Sequence, residues 1–268
     1  MSPSESPSPI ATPSTVASES PIAVAIVVPV HDEAELLERC LTALTAAVGV
    51  AQRAHPGLAV ATVVVLDACS DSSAAIAERW PVRTVTVDAR SVGTARRVGV
   101  GTALALVAGA APGAAARRDE TIWIATTDAD SAVPANWLVH QLELMTAGAD
   151  VVLGTVKPDF GDLTIEHAAH WTATHPRGRP AGNVHGANLG IRASVYLAAG
   201  GFADRDEHED VELVRAATAL GAVVRASDEN EVITSGRFAG RTPGGYARFV
   251  HETHLRISGL TDAMSPER

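Results

Sequence analysis

Five runs of apolar, mostly β-branched residues alternate with helical patterns along the first part of this 268-residue chain. The run AVAIVVPV at residues 23–30 has no polar face, as expected of a strand that is buried on both sides of a parallel sheet. Similar runs follow at residues 59–66, 82–87, 121–126 and 149–153. This alternation predicts an α/β fold in which helices flank a mostly parallel sheet within a single body.

Acidic residues follow three of the predicted strands. They are Asp32 and Glu33, Asp67 and Asp71, and Asp128 and Asp130. Because the carboxyl ends of parallel strands meet at one edge of a sheet, where ligands bind, we expect these acids to share a site. Two of them also have structural interpretations. Asp32 can cap the helix that follows, in a capping box with Glu35, and Asp67 can form a turn.

Asp128 and Asp130 come directly after the apolar run TIWIATT and are separated by one residue. Two carboxylates with this spacing can point towards one site across a turn. Their hard oxygen atoms favour Mg²⁺ or Mn²⁺, and such a metal can bridge a diphosphate and stabilise the charge of the leaving group. An isolated pair of this kind is more often a turn or helix cap. Its place after a buried strand, among other acids, favours the metal.

The segments around these acids resemble the family 2 glycosyltransferases, which have the GT-A fold, over residues 22–215. VVPVHDEAELLERCLTAL resembles the first strand and helix of that family, in which Pro29 and Glu33 match and Asp32 stands where Asn is usual. VVVLDACSDSS resembles the turn after the second strand, with Asp67 at the matching position. The resemblance therefore implies a nucleotide-binding half joined to an acceptor-binding half.

Four more segments follow in the order that the family has: VGTARRVGVGTAL with Arg96, TTDAD, GANLGIRASVYLAAGGF and HEDVELVRAA. The resemblance implies a nucleotide-diphosphate-sugar donor and a direct displacement that inverts the anomeric carbon. It also implies Asp210 as the general base that this displacement needs, with Glu209 as its support or as the base itself. Without the resemblance, both acids are explained by the positive end of the helix that follows them.

The resemblance also assigns residues to the donor and the metal. The residues expected to bind the nucleotide sugar are Pro29, Asp32, Glu33, Asp67, Arg96 and Asp128, and those expected to bind Mn²⁺ or Mg²⁺ are Asp128 and Asp130. A C-terminal histidine, His251 or His254, is a further candidate ligand. The Gly-rich basic segment 237–248 is expected either to close over the diphosphate or to be a surface loop without a role.

Composition and charge set the wider expectations. A net charge of −10 without a basic block excludes nucleic acid as a partner. No apolar run is long enough to span a membrane, so we expect a cytoplasmic protein that acts on a small or lipid-linked acceptor. The expected organisation is a Ser/Pro-rich tail (1–21), a nucleotide-sugar half (22–153), an acceptor half (154–250) and a C-terminal tail (251–268).

Two other functions fit part of the pattern. A sugar nucleotidyltransferase also binds metal and nucleotide at strand-end acids. It needs a Gly-rich loop with Lys or Arg after the first strand, where this chain has HDEAELLERC. A non-catalytic member that only binds a nucleotide is the second alternative, and the intact Asp128, Asp130 and Asp210 argue against it. The GxGxxG loop of NAD-dependent dehydrogenases is absent.

Overall fold

The computed structural model describes residues 23–109, 119–240 and 245–259, so the predicted tail at 1–21 and Arg241 lie outside the described residues. The strands are β1 (Ala23–Val30), β2 (Ala59–Asp67), β3 (Arg83–Val87), β4 (Ile122–Thr126), β5 (Ser131–Ala132), β6 (Val151–Pro158), β7 (Leu189–Arg192) and β8 (Val224–Thr234). The helices are α1 (Leu37–Ala54), α2 (Ser73–Ala77), α3 (Val92–Gly109), α4 (Trp137–Thr146), α5 (Ile165–Thr174), α6 (Ala193–Ala198), α7 (Glu209–Ala219) and α8 (Tyr246–Ile257).

The strands form one sheet in the order β3-β2-β1-β4-β7-β6-β8-β5. β1, β2, β3 and β4 are parallel, and β6 is parallel to β8. β7 runs antiparallel between β4 and β6, and the short β5 is antiparallel to β8. The predicted α/β fold with a mostly parallel sheet in one body is confirmed. β1 lies between β2 and β4, so the chain adds β2 and β3 on one side of β1 and β4 on the other. In sheets of this kind a crevice forms at the carboxyl ends of the two strands where the order reverses, here β1 and β4.

Side chains of β1 alternate between two cores. Val24, Ile26 and Val28 face α1 and α4, whereas Ala25 and Val27 face α3. All five are fully buried, and each buried valine or isoleucine stabilises the fold by about 1.5–3 kcal/mol. Helices on both faces explain why this strand has no polar face in the sequence.

Gly99 allows α3 to lie directly on the sheet. A Cβ atom at this position would lie 2.4 Å from Cγ1 of Val27 and 2.9 Å from Cγ2 of Val65. Any larger residue would therefore push α3 away from β1 and β2. Since α3 also carries Arg96 one turn earlier, this close approach places a cation beside the strand ends.

The beginning of α1 differs from the expectation. The helix begins at Leu37 without a side-chain cap, too far along the chain for Asp32 to be its N-cap, so the predicted capping box is wrong. The carboxylate of Asp32 instead accepts hydrogen bonds from the backbone N–H groups of Ser70 (2.6 Å) and Asp71 (3.1 Å). Donors from the next strand-end loop, 38 residues along the chain, have replaced the local helix donors.

Two expected boundaries fall inside secondary structure. α8 runs across the boundary that was expected between residues 250 and 251, and β6 runs across the one expected between residues 153 and 154. Both elements continue across these positions because they are held by neighbours that are distant in sequence, β6 by β8 and α8 by α5. None of the helices in the described ranges is long and apolar enough to cross a membrane.

Candidate active site

A cavity of about 750 Å³ opens beside the strand-end face, which is the set of loops at residues 31–36, 68–72, 88–91 and 127–130. The predicted site residues that line it are Pro29, Glu33, Asp67, Arg96, Asp128, Asp130, Glu209 and Asp210. Asp32, which was expected to bind the nucleotide sugar, does not line it, because its carboxylate faces the loop after β2. The fold thus brings together acids that lie as far apart in the sequence as Glu33 and Asp210.

Arg96 joins two parts of the cavity that are distant in sequence. Its side chain is 5% exposed and forms ion pairs with Asp128, after β4, and with Glu209, at the start of α7. Burial acts to lower the pKa of Arg96, but the charges of Asp128 and Glu209 outweigh it and raise this pKa. The guanidinium therefore stays charged and holds the Asp-Ala-Asp motif against the Glu-Asp pair.

Gly186 makes room for this guanidinium. A Cβ atom at Gly186 would lie 2.3 Å from Cζ of Arg96. The backbone N–H of Gly186 donates to Oδ2 of Asp210 at 2.7 Å, and its carbonyl accepts from Oγ1 of Thr126 at 2.6 Å. A single glycine therefore positions Asp210 and Arg96 relative to the end of β4.

Glu209 and Asp210 are neighbours with different environments. Glu209 is 2% exposed, and burial raises its pKa while the charge of Arg96 opposes that shift. Asp210 is only partly buried, and its Oδ1 accepts the backbone N–H of Val211 at 2.8 Å. Because Glu209 is buried in an ion pair with Arg96, Asp210 is the carboxylate that can more easily accept a proton from a group in the cavity.

Asp130 lies deeper than Asp128. Burial, together with the negative charge of Asp128, raises the pKa of Asp130 to about 6, although the charge of Arg237 opposes the shift. Nη2 of Arg237 lies 3.0 Å from Oδ2 of Asp130, and the same guanidinium forms two hydrogen bonds of 2.6 and 2.8 Å with Glu33. Each aspartate of the motif is therefore paired with an arginine. The acids of the site thus create a negative potential that attracts cations.

Asp67 shapes the floor of the cavity. Its carboxylate accepts three backbone hydrogen bonds, from Ala89 and Arg90 at 2.8 Å and from Ser91 at 2.9 Å. The turn that it organises is therefore the loop after β3, not its own turn as the structural interpretation of the sequence expected. Backbone donors among the described residues thus occupy three of roughly four acceptor positions of this carboxylate.

Four non-glycine residues have positive φ angles in the described part of the chain: Asp32 (52°), Ala68 (50°), Arg90 (52°) and His208 (62°). Three lie on the strand-end face, and His208 precedes α7 and lines the cavity. Such conformations cost on the order of 1–3 kcal/mol each and persist where surrounding contacts fix them. Their concentration around one cavity supports a functional site. No pattern in the sequence predicted these backbone conformations.

A second part of the cavity lining consists of rings. We call the set Trp171, His175, His185, Tyr246 and Phe249 the ring wall, and all of its members line the cavity. Trp171 and His175 stack with centroids 3.8 Å apart, and Tyr246 meets His185 edge-on at 6.2 Å. Sequence reasoning did not assign Trp171 or Tyr246 to the site, because their spacing does not distinguish them from core aromatics.

The C-terminal histidines do not supply the expected metal ligand. His251 and His254 stack on Phe238, with centroids 5.4 and 4.8 Å apart, and neither lines the cavity. Among the described residues, the group of three close potential ligands is Asp32, Cys69 and Asp71, on the strand-end face. The carboxylates of Asp32 and Asp71 in this group accept backbone hydrogen bonds that fix the loops.

The model of "Glycosyl transferase family 2" matches residues 25–197, which is more than half of the sequence. The chain belongs to this family, and the resemblance seen in the sequence is confirmed. A search of curated proteins finds no match.

Solved structures share the fold. The mannosyltransferase PcManGT from Pyrobaculum calidifontis, in complex with GDP-Man and Mn²⁺, is 17% identical with a TM-score of 0.55, over 93% of this chain and 77% of that chain. S. aureus TarS 1-349 with UDP is 13% identical with a TM-score of 0.53, over 92% and 67%. Glucosyl-3-phosphoglycerate synthase from Mycobacterium tuberculosis, with Mg²⁺ and UDP, is 18% identical with a TM-score of 0.52, over 91% and 81%. These likenesses establish the GT-A fold.

Proposed function

We propose that this glycosyltransferase moves a sugar from a nucleoside-diphosphate sugar to an acceptor hydroxyl with inversion of the anomeric carbon. The observation that carries the proposal is the double ion pair of Arg96, which sets Asp128 and the Glu209–Asp210 pair around one cavity. Such a displacement needs positive charge near the departing diphosphate and a base near the attacking hydroxyl. The cavity, of about 750 Å³, has a volume typical of small-ligand sites.

A divalent metal fits Asp128 and Asp130. Both offer carboxylate oxygens to the cavity, Asp128 with a side chain 36% exposed and Asp130 with one 15% exposed. Carboxylates of this kind suit Mg²⁺ or Mn²⁺, which take their remaining ligands from water and phosphate oxygens. Bound here, the ion would supply the positive charge that stabilises a departing diphosphate. PcManGT with Mn²⁺ and the synthase with Mg²⁺ support this choice of metals.

The proton of the acceptor hydroxyl goes to Asp210. As the acceptor oxygen bonds to the anomeric carbon, the bond from that carbon to the diphosphate oxygen breaks, and the carboxylate of Asp210 accepts the hydroxyl proton. The N–H of Gly186 orients Oδ2 of Asp210 for this task. Glu209 supports it indirectly, since it holds Arg96, which in turn holds Asp128.

The donor lies along the strand-end face in this proposal. Pro29 and Asp67 line the part of the cavity expected to receive the nucleotide. Glu33 acts through Arg237, which it holds beside Asp130. Asp32 acts from outside the cavity, by fixing the loop at residues 68–72.

We further propose a cytoplasmic reaction with a small or lipid-linked acceptor. Cys40 and Cys69 are both free thiols, which suits a reducing compartment. The ring wall presents apolar ring faces to the cavity on the side of Asp210, where the acceptor has to approach.

Calorimetric titration with UDP and with GDP, each with Mn²⁺ and with a chelator, tests the proposal. We expect one of the two nucleotides to bind with Mn²⁺ and to lose most of its affinity when the metal is chelated. Binding of neither nucleotide, or binding that chelation leaves unchanged, would contradict the proposed donor and metal.

A further inference from the structure

The hydroxyl of Tyr246, the first residue of α8, is a buried polar atom without a hydrogen-bond partner among the described residues. Buried polar groups in native proteins are almost always paired with protein, water or ligand. Tyr246 is also one of the residues that line the cavity. An unpaired donor at this place points to a ligand group that accepts a hydrogen bond.

The surroundings of this hydroxyl are anionic. Burial, followed by the charges of Glu231 and Asp130, raises the pKa of Tyr246, so the phenol stays protonated and remains a donor. The ring is fixed by edge contacts with Trp171, at 6.3 Å between centroids, and with His185, at 6.2 Å. Tyr246 therefore presents a donor in a fixed position.

Glu231 and His185 complete a polar group around Tyr246. Glu231 lines the same cavity, and among the described residues its carboxylate accepts a hydrogen bond from Oγ1 of Thr155 at the long distance of 3.5 Å. Burial lowers the pKa of His185 against the opposing charge of Asp210, so its neutral ring offers one donor and one acceptor.

This group lies between the proposed metal site and the proposed base. Tyr246 is close enough to both Asp130 and Glu231 for their charges to raise its pKa, whereas His185 precedes Gly186, whose N–H donates to Asp210. In a glycosyl donor the sugar lies between the diphosphate, which the metal would hold, and the attacking hydroxyl, which the base would deprotonate. Geometry therefore places a sugar ring beside Tyr246.

We infer that Tyr246, Glu231 and His185 bind the free hydroxyl groups of the transferred hexose, an inference that rests on the proposed function. A phenol donor and a carboxylate acceptor suit a hydroxyl pair on a sugar ring, because each hydroxyl both donates and accepts. The three residues discriminate the sugar, whereas the strand-end face binds the nucleotide.

Replacement of Tyr246 by Phe removes the hydroxyl and keeps the ring. The measurement is the affinity of the Mn²⁺-loaded protein for UDP and UDP-glucose, and for GDP and GDP-mannose, by calorimetry. With the pair that the wild-type protein binds, we expect Tyr246→Phe to weaken the nucleotide sugar about 3- to 30-fold and to leave the free nucleotide within about twofold.

Tyr196→Phe is the matched control. Its hydroxyl accepts the backbone N–H of Phe202 at 3.2 Å, and Tyr196 does not line the cavity. This variant removes the same atom from the only other tyrosine in the chain. It is expected to leave the ratio of nucleotide-sugar to nucleotide affinity unchanged.

Failure of the proposed function and failure of this inference are distinguishable. If the wild-type protein binds neither nucleotide, the proposed function and this inference both fail. If it binds the nucleotide sugar and Tyr246→Phe leaves the affinity ratio unchanged, only the inference fails. Deoxy-sugar donors give a second measurement that does not depend on how well the variant folds. Removal of one sugar hydroxyl should weaken binding to the wild-type protein about 3- to 30-fold, and equal affinity for every deoxy donor would overturn the inference.

Discussion

The two walls of the cavity are built in different ways. On the strand-end face, the carboxylates of Asp32 and Asp67 are held by backbone N–H groups of neighbouring loops. On the ring wall, rings pack on rings, and the hydroxyl of Tyr246 has no partner among the described residues. Asp32 and Asp67 on the strand-end face are thus held by the protein itself, whereas Tyr246 on the ring wall has hydrogen-bonding capacity for a ligand. Under the proposed function, the first wall would hold the nucleotide and the second would contact the sugar and the acceptor.

The largest effect is expected at Arg96, which joins Asp128 on the strand-end face to Glu209 at the start of α7. Arg96→Ala leaves the buried Glu209 without its partner, and a broken buried ion pair costs about 3–5 kcal/mol. Its neighbour Arg97 is exposed, so Arg97→Ala should change stability by less than about 0.5 kcal/mol. Urea unfolding of both variants measures the difference. Equal stabilities would show that Arg96 does not link the two sides of the cavity.

Asp210→Asn tests the chemistry beside the ring wall. We expect transfer to fall by about 10² or more, since an amide cannot accept the proton of the acceptor, while affinity for the metal–nucleotide complex stays within a few-fold. Single-turnover transfer rates and calorimetry separate the two effects. Glu212→Gln on the same helix, whose partner is Arg205 at 3.0 Å, is the control. Near-normal transfer by Asp210→Asn would move the base to Glu209.

Asp130→Asn tests the strand-end face and should have opposite effects on binding and on stability. Loss of a carboxylate ligand is expected to weaken Mn²⁺-dependent nucleotide binding by about tenfold or more. Because the pKa of Asp130 is raised in the fold from 3.8 to about 6, its charged form destabilises the folded protein at pH above 6 and not below pH 4.

With a chelator present at pH 7.5, Asp130→Asn should therefore stabilise the protein by on the order of 2 kcal/mol. The gain should disappear at pH 4, where the carboxylate is protonated. Thermal melts at the two pH values measure it. A loss of stability at pH 7.5 would show that the pairing of Asp130 with Arg237 outweighs the burial of its charge.

The smallest effect is expected at Asp204, which ties the strand-end face to the segment before α7. Its exposed carboxylate accepts from the hydroxyls of Thr94 and Ser91, and these bonds lower the pKa of Asp204. A lowered pKa contributes stability above the ordinary value of 3.8, and that stability is lost as the pH falls through the folded pKa. Asp204→Asn should make the melting temperature slightly less sensitive to pH between 5 and 3. An unchanged pH dependence would contradict this coupling.

The sequence predicted the elements of the strand-end face well because their signals are local. The apolar run at 23–30 coincides with β1, and the acids that follow β1, β2 and β4 do meet at one edge. What failed was the capping box of Asp32 and Glu35. A helix cap is a local preference, worth about 1 kcal/mol, and the amides of Ser70 and Asp71 displaced it.

The ring wall was the part that the sequence did not reveal. Trp171 lies on α5, His185 precedes β7, and Tyr246 begins α8, so no window of sequence contains all three. Their grouping depends on the packing of α8 against α5, which places residues about 75 positions apart in contact. The expected ligand role of His251 or His254 failed for the same reason, since packing turned both rings towards Phe238.

The sequence by itself determined the α/β class, the placement of acids at the strand ends and the family of the chain. Periodicity and short motifs involve residues that are close together in the sequence, so they can be recognised without the structure. Only the tertiary structure decided which charges pair. Arg96 meets Glu209 across 113 positions, and Arg237 meets Glu33 across 204. Such pairs form because burial makes an uncompensated charge costly, and which partner is close enough to compensate it depends on the packing of the whole chain.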